Sequence, residues 1–171
     1  LDRVAGDQMG MLATVMNGLA MRDELIRQGG KCVLMSAYGI PSISAQYSAV
    51  AGRKALEDGN VVIVAGGTGS PFFTTDTTAV LRAIELKCDE VMKGTKVDGV
   101  YTADPVKDPS AVRYTSLSFN EVLAKELQVM DLTAFVLARD HHMPIRVFSM
   151  NNEGALLRAA TGKDEGTLVS D

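Results

Sequence analysis

The chain has 171 residues, 46% of them apolar, which suits one domain or most of a larger one built around a buried core. Its net charge of −4 argues against a nucleic-acid binder held by phosphate contacts, and no apolar run approaches the roughly 20 residues that span a bilayer. The two cysteines, Cys32 and Cys88, show no metal-ligand spacing; with no secretory signal, a reducing cytoplasm is the simplest compartment.

Residues 1–6 form a short lead-in, and Gly6 or Asp7 is expected to open a long helix running to about Gln28. Met9, Leu12, Val15, Met16, Leu19 and Ile26 keep the helical period, and Gly29-Gly30 stop it. Met11, Ala13, Ala20 and Met21 make this helix apolar almost all round, so it should be buried on two sides, one of them against another subunit; the competing reading is a fully internal helix. The methionines read as core or interface filler. Lys31 to Met35 is a strand, Tyr38 to Ser44 a loop with Pro41, and Gln46 to Glu57 a second helix closed by Gly59.

The strand Asn60 to Ala65 carries the β-branched run Val61-Val62-Ile63-Val64 and leads into Gly66 to Asp76, GGTGSPFFTTD. An amphipathic helix follows from Asp76 to Lys87, burying Val80, Ala83 and Ile84 and exposing Arg82, Glu85 and Lys87. Strand, glycine-rich turn and helix together bring free backbone N–H groups up to an anion. Gly66, Gly67 and Gly69 permit a sharp turn and close approach of a ligand. Thr68, Thr74 and Thr75 add hydroxyls, while Asp76 places a carboxylate that needs a cation beside it if a phosphate binds. The plainer reading is an ordinary turn between strand and helix with Thr75 or Asp76 as N-cap.

Glu90 to Lys93 reads as a further strand. Strands separated by helices imply an α/β architecture with a mainly parallel sheet and ligands beyond the carboxyl ends of the strands. The stretch Lys93 to Asp108, KGTKVDGVYTADPVKD, leaves its strand at that end. Asp98-Gly99 marks a turn, Tyr101 offers a ring on which a base could stack, and Thr95, Lys96, Asp104 and Lys107 are polar. The competing reading is a surface hairpin with solvated charges. Ser118-Phe119-Asn120-Glu121 forms a capping box for a helix carrying Val122, Leu123, Leu127 and Met130. Asp131 caps the next helix, with Leu132, Phe135, Val136 and Leu137 as its buried face and His141-His142 at its end. Neither histidine has a second ligand pair nearby, so no metal site is assigned. A strand Ile145 to Met150, a short helix Gly154 to Ala160 and a final strand Gly166 to Ser170 complete the chain.

Five stretches, GDQMGMLATVMNGLAMRD, GGTGSPFFTTD, KGTKVDGVYTADPVKDP, VMDLTAFVLARDH and PIRVFSMN, resemble in order and spacing those of the bacterial uridylate kinases (UMP kinases) of the amino acid kinase family. The resemblance implies a three-layer α/β/α sandwich and phosphoryl transfer from ATP to UMP with Mg2+. It also implies a homohexamer, activated by GTP and inhibited by UTP. Asp7 matches the aspartate that holds the UMP ribose. Thr68, Gly69, Ser70, Pro71, Phe72, Phe73, Thr74 and Thr75 match the UMP segment, and Thr95, Tyr101 and Asp104 match the ATP contacts. Asp76 matches the aspartate that organises lysines near the transferred group, and Asp131 matches another acidic active-site position.

The family also places a Lys-Leu-Ser-Gly loop, a Gly-Gly-Gly-Asn loop and a phosphate-binding arginine ahead of the Gly-Asp motif. With none of these present, the 171 residues are expected to be the C-terminal major part of a single domain, lacking its N-terminal strands, inactive alone and prone to self-association. Two alternatives share the fold: a non-catalytic nucleotide-binding assembly similar to the molybdenum storage proteins, and an enzyme acting on a carboxylate or carbamate.

Overall fold

The computed structural model describes residues 2–127 and 129–171; Leu1, in the lead-in, and Gln128, inside the expected fourth helix, lie outside that description. The chain divides into two compact units, one ending at Lys87 and the other running from Cys88 to Asp171.

The first unit opens with α1 (Arg3–Arg27), capped by the Asp2 carboxylate, which accepts from the Ala5 N–H. The helix therefore begins before Gly6-Asp7, and Asp7 lies within its second turn. Gly29 and Gly30 end it, their N–H groups donating to the Ile26 and Leu25 carbonyls, with Gly29 at φ +84°. Strands β1 (Cys32–Ser36), β2 (Ala45–Gln46) and β3 (Val61–Ala65) form a parallel sheet in the order β2-β1-β3. Helix α2 (Ala49–Glu57) starts at the Ser48 cap, later than expected, because Ala45 and Gln46 pair with Met35 and Ser36 as a strand. Helix α3 (Thr75–Leu86) is capped by Thr74.

Successive strand residues point to opposite faces, and the two helices use that alternation. A methyl at Gly18 of α1 would meet Leu34 and Ile63, whereas one at Gly52 of α2 would meet Leu86 and Met35. Leu34 and Met35 are neighbours in β1, so α1 and α2 cover opposite faces of the sheet, giving helix, sheet and helix layers within this unit. Val15, Leu34 and Ala65 form the core under α1.

Within the chain α1 is buried along one side only, at Met11, Val15 and Gly18. Met9, Leu12, Met16 and Met21 remain exposed, Met16 by 72%. On α3, Arg82 and Glu85 are not solvated as the helical period suggests. Arg82 donates to Glu85 Oε2 at 2.8 Å, its side chain is only 13% exposed, and its guanidinium stacks 4.0 Å over the Tyr47 ring.

The second unit contains β4 (Val91–Thr95), β5 (Ser116–Ser118), α4 (Phe119–Ala124), α5 (Leu132–Asp140), β6 (Ile145–Ser149), α6 (Ala155–Ala160) and β7 (Thr167–Ser170). The sheet order is β4-β6-β7-β5, and β6 pairs with β7 antiparallel while β4–β6 and β5–β7 are parallel. The sequence reading missed β5, whose three residues form the lead-in to the capping box. Both bonds of that box, between Ser118 and Glu121, are present. Helix α4 stops at Ala124, so Leu127 and Met130 lie beyond it. Helix α5 buries Ala134, Phe135 and Ala138, and Leu132 points outward at 67% exposure. The small residues at 134 and 138 let the helix approach closely, and Phe135 fills the space beside them.

Candidate functional site

Asp7, Gly10, Met11 and Thr14 occur at helical spacing on one face of α1, and that face lines a cleft of about 260 Å3. The opposite wall is Gly67, Phe73, Thr74, Thr75 and Thr78. Because Asp7 lies inside the helix, its carboxylate projects sideways into this cleft rather than capping a helix end. Its two oxygens have separate jobs. Oδ1 accepts from Arg3 Nε at 2.7 Å, and Oδ2 accepts from the Phe72 N–H at 2.8 Å. The Phe72 amide and the Arg3 guanidinium hold the Asp7 carboxyl below the usual aspartate range. The acid is thus anionic at neutral pH, an acceptor for hydroxyl groups.

The glycine loop is built for close approach. Gly66, Gly67 and Gly69 have φ of +78°, +60° and +82°, and a methyl at Gly66 would fall 2.7 Å from Ser36 Oγ. Side chains outside the loop fix it. Thr14 Oγ1 accepts from the Gly66 N–H at 2.8 Å, the Tyr38 hydroxyl donates to the Gly69 carbonyl at 2.9 Å, and Arg82 reaches the Gly67 carbonyl at 3.4 Å. Sequence reasoning missed Thr14, Tyr38 and Arg82 as supports. Only the 7, 10, 11, 14 spacing on α1 offered a signal.

Of the expected UMP segment, Phe73, Thr74 and Thr75 line the cleft, and Phe72 closes on Asp7 through its backbone. Thr68 and Ser70 bond to each other, with Thr68 Oγ1 at 3.1 Å from both Ser70 N and Ser70 O, while Gly69 and Pro71 carry the turn. Asp76 is half-buried in the first turn of α3, directly after the lining residue Thr75.

In the second unit, Tyr101 and Asp104 line another cleft of about 470 Å3, together with Val97, Val100, Lys125 and Leu127. The Tyr101 hydroxyl donates to Asp98 Oδ1 at 2.6 Å, and this bond raises the phenol above its ordinary range. The ring is thereby pinned by its edge. Asp104 Oδ1 accepts from the Val106 N–H at 3.0 Å. Thr95 is not among the lining residues. Its hydroxyl accepts from the Val97 N–H at 2.9 Å and donates to the Val97 carbonyl at 2.8 Å, shaping the turn that enters the cleft wall. Asp131 caps α5, accepting from the Ala134 N–H at 2.8 Å. Lys125, which holds the Tyr114 hydroxyl at 3.2 Å, is a lining residue that the sequence reading did not single out.

Comparison with known proteins matches residues 1–149 to the model of the amino acid kinase family. A uridylate kinase of Vibrio cholerae serotype O1 is 59% identical over 171 residues, covering 100% of this chain and 70% of the relative. One from Pseudoalteromonas translucida is 58% identical over 170 residues, covering 99% and 68%. Among solved structures, a UMP kinase from Bacillus anthracis superposes with a TM-score of 0.97 at 36% identity, over 100% of this chain and 71% of that one. With parallel strands flanked by helices, a Gly-Asp carboxylate facing a glycine loop, and relatives this similar along its whole length, the chain belongs to the amino acid kinase family, among the uridylate kinases.

Proposed function

We propose that the chain carries the nucleotide sites of a UMP kinase, which transfers the γ-phosphoryl group of ATP to UMP and yields UDP and ADP. The observation that carries this reading is the bond from the Phe72 N–H to Asp7, which joins the Gly-Asp motif and the segment 68–75 at one cleft. There Asp7 accepts from the ribose hydroxyls of UMP, and the segment from Thr68 to Thr75 surrounds the rest of the nucleotide. The cleft of the second unit takes ATP, with the Tyr101 ring against the adenine, Asp104 toward the ribose and Thr95 holding the turn. The curated relatives' names support the substrate, and identity of 59% favours it over the storage and carbamate readings.

Phosphoryl transfer asks the protein chiefly for positioning and electrostatic stabilisation. The phosphate of UMP is already a nucleophile at neutral pH, so no strong general base is required. We therefore cast Asp76 as an organiser of cations near the transferred group, with Asp131 as a second acidic residue of that region. A magnesium ion bound with ATP would supply neutralisation of phosphate charge. Among the described residues no group of three or more His, Cys, Asp or Glu could hold a metal, and the donor chemistry suits an ion carried by triphosphate oxygens and water.

The finer properties proposed with this reading are a homohexamer, GTP and UTP as effectors, and a cytoplasmic location. The exposed stripe Met9, Leu12 and Met16 on α1 supports self-association. No described helix is long and apolar enough to cross a membrane. An ADP-forming coupled assay on the complete protein with UMP, CMP and carbamate as acceptors, backed by calorimetric titration of UMP, tests the proposal. UMP should be the preferred acceptor; turnover of carbamate in its place would overturn the assignment.

A further inference from the structure

We infer that Arg3 is a positioning residue for the acceptor cleft, setting the arc of residues 68–75 through Asp7 and Phe72 together. The inference rests on the reading of this cleft as the UMP site. Three contacts close a ring. Arg3 Nε donates to Asp7 Oδ1 at 2.7 Å, the Phe72 N–H donates to Asp7 Oδ2 at 2.8 Å, and the Arg3 guanidinium carbon lies 5.6 Å from the centre of the Phe72 ring. One guanidinium thus holds the carboxylate by its edge and the aromatic ring by its face, a combination that a lysine ammonium does not reproduce.

The arc needs such a hold. Phe72 has φ +73°, a conformation that a bulky side chain does not adopt without restraint. The residue is 66% exposed, so burial contributes little to keeping it there. The restraint comes instead from Asp7, whose Oδ2 takes the Phe72 amide while Arg3 holds Oδ1. Arg3 lies one helical turn before Asp7, which fixes the carboxylate rotamer toward the cleft. When a nucleoside monophosphate enters, its ribose hydroxyls meet an acceptor already aimed, and the arc carrying Phe73, Thr74 and Thr75 is already in place. Ordering that is completed before binding raises affinity without adding a contact.

The test pairs calorimetric titration of UMP with hydrogen exchange at the Phe72 amide, in the unsubstituted chain and in Arg3→Gln, Arg3→Lys and Phe72→Leu. For an exposed ion pair combined with an exposed cation–ring contact, Arg3→Gln should weaken UMP binding roughly 3- to 10-fold. It should also speed exchange of the Phe72 amide. Arg3→Lys should fall between the two, and adding Phe72→Leu to Arg3→Gln should cost little more than either alone, because both break one ring of contacts. Unchanged affinity or unchanged exchange in Arg3→Gln overturns the inference, including the case in which only the melting temperature falls and Arg3 merely supports α1. If the unsubstituted chain binds no UMP, the reading of the cleft fails, and with it the inference.

Discussion

Thr14→Val tests whether the glycine loop is held from α1. The hydroxyl accepts from the Gly66 N–H at 2.8 Å and donates to the Met11 carbonyl at 2.7 Å. The second bond matters little, because a helical carbonyl at that position keeps its backbone partner. The first is different. Gly66 is buried, and its amide continues the line of β3 where no neighbouring strand takes it up. Valine keeps the shape and removes the acceptor, leaving a buried donor unsatisfied at a cost of about 1–3 kcal/mol. For a chain of this length that corresponds to a fall in melting temperature of roughly 2–12 °C. Thr14→Ser keeps the acceptor and should lose less than about 1 kcal/mol, the share of one half-buried methyl. Urea unfolding followed by circular dichroism, at unchanged m-value, gives the difference directly. UMP affinity should fall with Thr14→Val as well, since Gly66 leads directly into Gly67, which lines the cleft. Equal midpoints for Thr14→Val and the unsubstituted chain would refute the idea that this hydroxyl holds the loop.

In the complete protein, Asp76→Asn should lower kcat and kcat/KM together, by roughly 100-fold or more, as expected of a group acting mainly in the transition state; near-normal kcat with a raised KM for UMP would sink that role. Gly166→Ala should destabilise the second unit by more than about 3 kcal/mol. Its methyl would lie 2.0 Å from the Val147 carbonyl oxygen at a φ of +72°, and thermal unfolding within about a degree of the parent would disprove the clash. Burial, then the bond to Glu85, pushes the Tyr47 phenol up to about 12, above the ordinary tyrosine range. The folded state keeps this proton after the unfolded chain has released it, so the contribution is complete below about pH 10 and is lost as pH rises through about 12. The urea midpoint should fall less between pH 9 and pH 11 for Tyr47→Phe than for the parent; equal falls would show that Tyr47 does not titrate differently on folding.

Much of the fold was legible in one dimension because it depends on local rules. The capping box at Ser118 and Glu121, the cap at Asp131 and the glycine stops after α1 and α2 involve residues within a turn of each other, so their chemistry is visible as spacing. The strand Val61–Ala65 followed by a glycine loop and a helix was equally plain. The segments proposed for UMP and ATP were singled out through resemblance. Their residue types alone left an ordinary turn and a surface hairpin open.

Tertiary structure decided what those stretches touch. Asp7 looked like the start of a helix, since nothing local announces the Asp2 cap; placed in the second turn, it faces the cleft and takes the Phe72 amide, 65 residues away. Strands β2 and β5 are too short to show a period, and exist because β1 and β7 offer them partners. Arg82 and Glu85 belong by period to the exposed face of α3, yet Tyr47 covers them, turning a solvated pair into a stacked, hydrogen-bonded cluster. Sequence by itself determined the local grammar of caps, turns and periods, because those energies arise between near neighbours. Only the tertiary structure decided which carboxylate faces the cleft, which hydroxyl holds the glycine loop and which side of α1 is covered, because those depend on contacts between residues that the chain sequence keeps far apart.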